Sequence, residues 1–279
     1  MQKIQDRVIV VTGAGSGIGK GIVEAFANAG AKLVITDIDQ SSLDVLDKEL
    51  RDQGTEVLSV GTDVANSEDV KGLAQKTYDA FGACHVICNN AGVVENNVNT
   101  WELTTDDWEW VLGVNLNGVI HGINAFVPRM LASGEEGHVV NTASIGGLIA
   151  GLALPAYSVS KHAVVALSEC LYNDLAREQS KVNVSVLCPG WINTNIADSD
   201  RNRANKPTLT PALTRSRNAF KQSISNGLAP AQVGEIVLNG VLNNRFYLYT
   251  HPEWNNVIED RFEAILKGEK PASTYLPRA

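Results

Sequence analysis

Arg7-Val8-Ile9-Val10-Val11-Thr12-Gly13-Ala14-Gly15-Ser16-Gly17-Ile18-Gly19 decides how this chain folds. Residues 7–12 are a short run rich in β-branched side chains and closed by glycine, the pattern of a strand buried on both faces of a parallel sheet. The glycines then open a helical pattern over residues 17–29. Strand, glycine turn and helix, in that order, let backbone amides approach a pyrophosphate at the positive end of the helix. The spacing reads TGxxxGxG, a variant of the dinucleotide-binding fingerprint, and nominates Gly13, Ser16, Gly17, Ile18 and Gly19 as the cradle. A tight turn with no ligand is the competing reading.

A second strand over residues 32–36 runs into Asp37, 18 residues beyond Gly19. A carboxylate at about that distance is placed to accept hydrogen bonds from the adenosine ribose, and it would repel a 2′-phosphate. Neither Ser16 nor Ile38 is basic, which favours NAD over NADP, with Lys20 the nearest cation on the other side of the argument. A plain strand-end or helix-cap role for Asp37 is the alternative. Helical patterns at 40–53 and 67–81 then alternate with strands at 56–60 and 85–89, which specifies a parallel sheet covered by helices on both faces. Asp63 and Val64 follow the third strand and either border an adenine or cap a helix. Asn89-Asn90-Ala91-Gly92 ends the fourth, where small and amide residues border a cofactor or form an ordinary turn.

A helix is expected over residues 106–131, interrupted near Gly113 by Val114-Asn115-Leu116-Asn117-Gly118, because asparagine and glycine carry a cost in a helix interior. A strand at 138–142 leads through Ser144 into the uncharged loop 145–156, which either walls a substrate pocket or is simply buried. The next helix, 157–178, carries two apolar stripes. One, with Val164, Leu167, Leu171 and Leu175, lies near Tyr157; the other, Val159, Ala163, Ala166 and Cys170, suits a subunit interface or burial within the same chain. After a strand at 182–188 and Pro189-Gly190, residues 196–222 show no clean period and hold six basic residues against two acidic ones. A mobile lid is expected there, its charge either a solvated face or an attractor for an acidic substrate. Helix 230–243, strand 246–249 and helix 253–267 complete one domain spanning 1–279, an α/β, doubly wound, mostly parallel seven-stranded sheet.

The 279 residues carry a formal charge of −8, which argues against nucleic acid or an anionic membrane as partner. No run of 18 apolar residues and no apolar leader precede the glycines, so the expected compartment is the cytoplasm. Cys84, Cys88, Cys170 and Cys188 fit it as reduced thiols, and the five scattered histidines give no metal-ligand spacing.

Tyr157 and Lys161 stand one helical turn apart, on one face. An ammonium beside a phenol favours phenolate, which makes the pair a candidate acid/base. Thr12 to Gly19 as TGxxxGxG, Asn89 to Gly92 as NNAG, Asn115 within VNLNG, Ser144 thirteen residues before Tyr157, Tyr157-xxx-Lys161, and Pro189-Gly190 with Thr194 occur here in one order. In that joint pattern the chain, from residue 8 to about 251, resembles the short-chain dehydrogenase/reductases. The resemblance implies a Rossmann-like fold and a homodimer or homotetramer. It makes Tyr157 the proton donor or acceptor, Lys161 its modulator and a ribose ligand, Ser144 the holder of the substrate oxygen, and Asn115 the anchor of a proton-relaying water. Ile192 and Thr194 would touch the nicotinamide amide, while Pro189, Gly190, Asn90, Ala91 and Gly92 would border the cofactor. To work near pH 7 the phenol must fall about 3 units, about 4 kcal/mol. The expected activity is NAD-dependent interconversion of a secondary alcohol and a ketone, apolar or ring-bearing, with Val93, Val94, Leu148 and Trp191 as substrate contacts. An NADP-dependent carbonyl reductase and a non-catalytic dinucleotide sensor are the rival readings.

Overall fold

The computed structural model describes residues 1, 3–150 and 153–271. The opening β-branched run forms β1 (Val8–Thr12), every residue of it buried. It lies central in a sheet with β2 (Lys32–Asp37), β3 (Val57–Gly61), β4 (Val86–Asn89), β5 (Gly137–Thr142), β6 (Val182–Cys188) and β7 (Tyr247–Tyr249). The order is β3-β2-β1-β4-β5-β6-β7. All pairings are parallel, the last between β6 and β7 included, so the sheet is uniformly and not just mostly parallel. The chain reverses its direction of winding between β1 and β4, and a crevice opens outside the carboxyl ends of strands at such a switch point.

Alternate residues of β1 feed opposite cores, as a two-residue repeat requires. Ile9 and Val11 join Ile22, Phe26, Leu33 and Leu43 on one face, beneath α1 (Gly17–Asn28), α2 (Gln40–Asp52) and α8 (Pro230–Leu242). Val8 and Val10 join Leu73, Phe126 and Met130 on the other, beneath α3 (Ser67–Phe81), α5 (Gly118–Ser133) and α6 (Pro155–Arg177). Helices α1 and α8 meet backbone to backbone. A Cβ on Gly21 would stand 2.1 Å from the Pro230 carbonyl oxygen, and one on Gly234 would stand 2.0 Å from that of Gly21.

The expected break near Gly113 is a π-helical turn, Gly113–Asn117, between α4 (Thr105–Leu112) and α5; the Gly118 amide donates to the Gly113 carbonyl five residues back. Thr105–Ser133 is the single stretch among the described residues long and apolar enough to cross a bilayer, yet Phe126, Val127 and Met130 from it are packed in the core. On α6, Val164, Leu171 and Leu175 are buried, whereas Val159, Ala166 and Cys170 are exposed. The described residues therefore leave these three members of the small-residue stripe uncovered, while the fourth, Ala163, is half-buried.

Two expectations need correction. Residues 196–222 are not aperiodic: 3₁₀ turns at Ile196–Asn202 lead to α7 (Pro211–Ser225), capped by the Thr210 hydroxyl. Of α7 only Ile224 is buried, and Leu213 and Phe220, half-buried on the same face, are interrupted by Ser216 and Arg217, so the apolar stripe is sparse. Nor is the basic face wholly solvated: three of the six basic residues are paired, Arg203 with Asp106 and Asp107, Arg217 with Asp200 and Lys221 with Asp198. Of the uncharged loop 145–156, residues 145–147 form a buried 3₁₀ turn, while Gly151 and Leu152 lie outside the described residues. Helix α9 (Asn255–Lys267) closes the fold.

Candidate active site

Strand register brings the ends of β1, β4, β5 and β6 level, and the candidate residues are hung from those ends. Gly13 adopts φ +63°, and a Cβ there would meet Ala91 Cα at 2.8 Å, so the turn and the Asn90-Ala91-Gly92 strand end are in contact. The Thr12 hydroxyl accepts from the amides of Asn90 (2.9 Å) and Ala91 (3.1 Å), and Asn90 Nδ2 donates to the Thr12 carbonyl at 3.0 Å. At Gly19 an added Cβ would fall 1.9 Å from the Gly13 oxygen, which explains the glycine by close approach alone. Asp37 stands across the turn, one oxygen accepting from Gly15 N (3.0 Å) and the other from Asp39 N (3.0 Å).

These pieces wall a cleft enclosing about 1110 Å³, mouth included. Gly13, Ser16, Gly17, Ile18 and Gly19 form its floor, Asp37, Asp63 and Val64 one end, Asn90, Ala91, Gly92 and Val93 a side, and Lys161, Pro189 and Thr194 the other end. A second cavity of about 1030 Å³ is bordered by Val94, Ser144, Gly190, Trp191 and Ile192 together with Phe220, Ile224 and Trp254. The two share Ile18, Tyr157, Pro189, Thr194 and Ile196, so they meet at the phenol. Leu148 lines neither; it packs with Val119, Val164 and Val165 in a core cluster, and the expected substrate contact there is withdrawn. Val93 belongs to the cleft and not to the second cavity.

Tyr157 projects from the first turn of α6 and hydrogen-bonds Ser144, whose hydroxyl also accepts from Gly146 N at 3.0 Å. Lys161 Nζ is buried, 5.6 Å from the centre of the Tyr157 ring, and donates to the Thr142 carbonyl at 2.9 Å. Asn115 is fully buried; its amide clamps Val93, donating to the carbonyl (2.9 Å) and accepting from the N–H (2.8 Å), and also donates to Ser160 Oγ (3.1 Å). Burial dominates the electrostatics. It pushes the phenol up to about 12, with the charges of Glu95 and Cys188 adding and the Ser144 hydrogen bond opposing. It also lowers Lys161 to about 8. The expectation is that Lys161 together with the positive nicotinamide ring of NAD makes the phenol more acidic; in the chain by itself, loss of water at the buried phenol is the larger effect.

Sequence reasoning missed several residues at this site. Glu95 lines the second cavity and is buried, its carboxylate raised by desolvation. Arg217 reaches from α7 to Asp200 (2.6 Å) and Asn96 (2.8 Å), and the Ser199 hydroxyl is bonded to both the N–H (2.9 Å) and the carbonyl (3.1 Å) of Val94. These contacts fasten the segment after β6 over both cavities. A buried charge in a short loop leaves no periodic signal, so only its departure from the surrounding apolar residues hints at Glu95. Among the described residues no His, Cys, Asp and Glu group is arranged to hold a metal.

A sequence profile of the family described as short chain dehydrogenase matches residues 7–205. The chain belongs to the short-chain dehydrogenase/reductase family. This short-chain dehydrogenase is 33% identical over 278 residues to the CLA biosynthesis dehydrogenase/reductase of Lactiplantibacillus plantarum, covering 97% of each chain. It is 34% identical over 263 residues to the 1-deoxy-11-beta-hydroxypentalenate dehydrogenase of Streptomyces avermitilis, covering 94% of this chain and 91% of the relative. Among solved structures, it matches a short chain dehydrogenase/reductase from Burkholderia phymatum in complex with NAD with a TM-score of 0.95 and 38% identity, over 98% and 99% of the two chains. The residues present fit the family's dinucleotide: side chains are missing where the glycine turn must approach a phosphate, and the cleft runs from a carboxylate at Asp37 to the phenol at Tyr157.

Proposed function

We propose that this chain is an NAD-dependent oxidoreductase, one catalytic domain that interconverts a secondary alcohol and a ketone on an apolar, ring-bearing substrate. The observation that carries the reading is the meeting of the cleft and the second cavity at Tyr157, where a phenol, the Ser144 hydroxyl and a buried ammonium converge. A bound dinucleotide supplies the hydride acceptor or donor. The Asp37 carboxylate at the cleft favours the ribose without a phosphate; Lys20 is engaged by Glu49 at 2.7 Å, and Arg201, which also lines the cleft, donates to the carbonyls of Asn195 and Asp198. NAD in the related Burkholderia phymatum structure supports the same choice.

Tyr157 moves the proton. At neutral pH a phenol near 12 is protonated, so the chain alone presents a donor suited to reducing a carbonyl. Oxidation needs more positive charge beside the phenol than Lys161 provides. Ser144 orients the substrate oxygen, and Asn115 holds the Val93 backbone at the rim of the cleft. The lining of Val94, Trp191, Ile192, Phe220, Ile224 and Trp254 supports an apolar substrate with bulk. The exposed small-residue stripe on α6 supports a homo-oligomer, and three buried free thiols support a reducing, cytoplasmic setting.

Tyr157→Phe removes the one proton carrier at the junction. Turnover with NAD and the best secondary alcohol of a panel is expected to fall about 100-fold or more, while NAD affinity stays within a few-fold. Activity that persists in this variant overturns the mechanism, and higher kcat/KM with NADP than with NAD overturns the cofactor choice.

A further inference from the structure

Helix α6 begins in an unusual way for the element that carries the phenol. Its N-cap residue, Leu154, has no side chain able to cap, and Pro155 at the first helical position has no N–H to satisfy. The Ser158 amide already makes the first helical bond, to the Leu154 carbonyl at 2.9 Å. Two amides therefore need an outside partner, those of Ala156 and of Tyr157 itself. Both are met by one side chain from about sixty residues earlier. Glu95 Oε1 accepts from Ala156 N at 2.8 Å and from Tyr157 N at 3.2 Å, and Oε2 accepts from Tyr157 N at 3.1 Å. Glu95 is only 5% exposed, so this carboxylate has exchanged water for the positive end of a helix.

We propose that Glu95 is a positioning residue: it fixes the first turn of α6, and with it the phenol of Tyr157, and it sets a negative charge beside the residue that moves the proton. The proposal rests on the reading of Tyr157 as the proton carrier. A neutral cap would serve the helix equally well; a buried charge next to the acid/base residue also sets the state of the acid. Other groups face the pair from every side. Ser144 follows β5, Cys188 ends β6, Lys161 lies one turn along α6, and Asp107 of α4 bears on Glu95. Of these, the Ser144 hydrogen bond favours phenolate, whereas Glu95 and Cys188 oppose it, and the Cys188 thiol is itself pushed up to about 12 by burial. A neutral thiol carries no charge at pH 7; Asp107 is an anion that bears on Glu95 and Arg217 a cation on the same cavity, paired with Asp200, which leaves Glu95 as the anion that bears on the phenol itself.

The test compares Glu95→Gln, which keeps shape and one acceptor oxygen but removes the charge, with Glu95→Ala, which removes the brace. In Glu95→Gln, the acid limb of kcat/KM for NAD-dependent oxidation of the best alcohol in the panel is expected to move down by about half a pH unit or more. In Glu95→Ala, hydrogen exchange of the peptide containing Ala156 and Tyr157 is expected to accelerate while β1 and β4 stay protected. An unmoved pH limb in Glu95→Gln overturns the electrostatic role even if kcat falls, and unchanged exchange at residues 156–157 overturns the brace. Should Glu95→Ala fail to fold, Glu95→Gln still decides, because its expected shift does not depend on loss of structure. Tyr157→Phe separates the two levels. If that variant is inactive and the Glu95→Gln profile does not move, only the role of Glu95 is lost; if it stays active, the underlying reading falls first.

Discussion

Lys161 is expected to reduce the stability of the protein that it serves. Burial lowers its ammonium from the ordinary 10.5 to about 8. At about 1.4 kcal/mol per pH unit, a charged Lys161 costs the cofactor-free fold about 3 kcal/mol. Its hydrogen bond to the Thr142 carbonyl returns about 1 kcal/mol of this when the two are compared with an apolar side chain of the same length. Lys161→Met should therefore be more stable than the native chain by about 2 kcal/mol at pH 7, while losing turnover. The sign fixes the pH window. Below pH 8 both folded and unfolded lysines are protonated and the full penalty applies; between 8 and 10.5 the folded state releases its proton first, the native chain gains stability relative to the variant, and the difference closes. Urea denaturation at pH 7 and at pH 10 measures it directly. A variant less stable than the native chain at pH 7, or a difference that does not change with pH, refutes the reasoning and makes the Thr142 contact the larger effect.

Two further perturbations address the frame and helix α7. Gly234→Ala should gain about 1 kcal/mol of helix propensity yet lose more, because its Cβ would meet the Gly21 carbonyl oxygen at 2.0 Å; we expect a net loss of about 1–2 kcal/mol in a urea titration, and a stabilised variant would mean that α1 and α8 are farther apart. Arg217→Ala leaves Asp200 without its guanidinium and unfastens α7 from Asn96. Chymotryptic cleavage at Leu209 or Leu213 should then accelerate about tenfold, equal to about 1.4 kcal/mol of easier opening, and an unchanged rate would show that α7 is held by other contacts.

Much of the frame was legible because it is periodic. Seven short β-branched or apolar runs, separated by helical patterns, left little choice but a doubly wound sheet, and asparagine with glycine in mid-helix marked the π turn at Gly113–Asn117. The site was legible where geometry follows spacing, as for Tyr157 and Lys161 on one face of α6. It was not legible where burial decides. Leu148 and Val94 are similar residues in similar loops, yet one is core and the other faces a cavity. Helix α7 escaped because its apolar face is sparse and is supplemented by ion pairs at Arg217 and Lys221, which spacing does not reveal. The burial of Tyr157 was hidden for a related reason: a sequence displays neighbouring charges but not the water that each group gives up.

The carboxyl ends of β1, β4, β5 and β6 carry the cradle, the phenol's partners and the ammonium's acceptor, all within the stretch that matches the family profile, residues 7–205. The far side of the second cavity is built by Phe220 and Ile224 of α7 and by Trp254, all beyond that stretch. The second cavity is thus walled by both portions: Val94, Trp191 and Ile192 stand within the matched stretch, and α7 and Trp254 close it from outside, so its far wall is made by a part of the chain that carries neither the cradle nor the ammonium's acceptor.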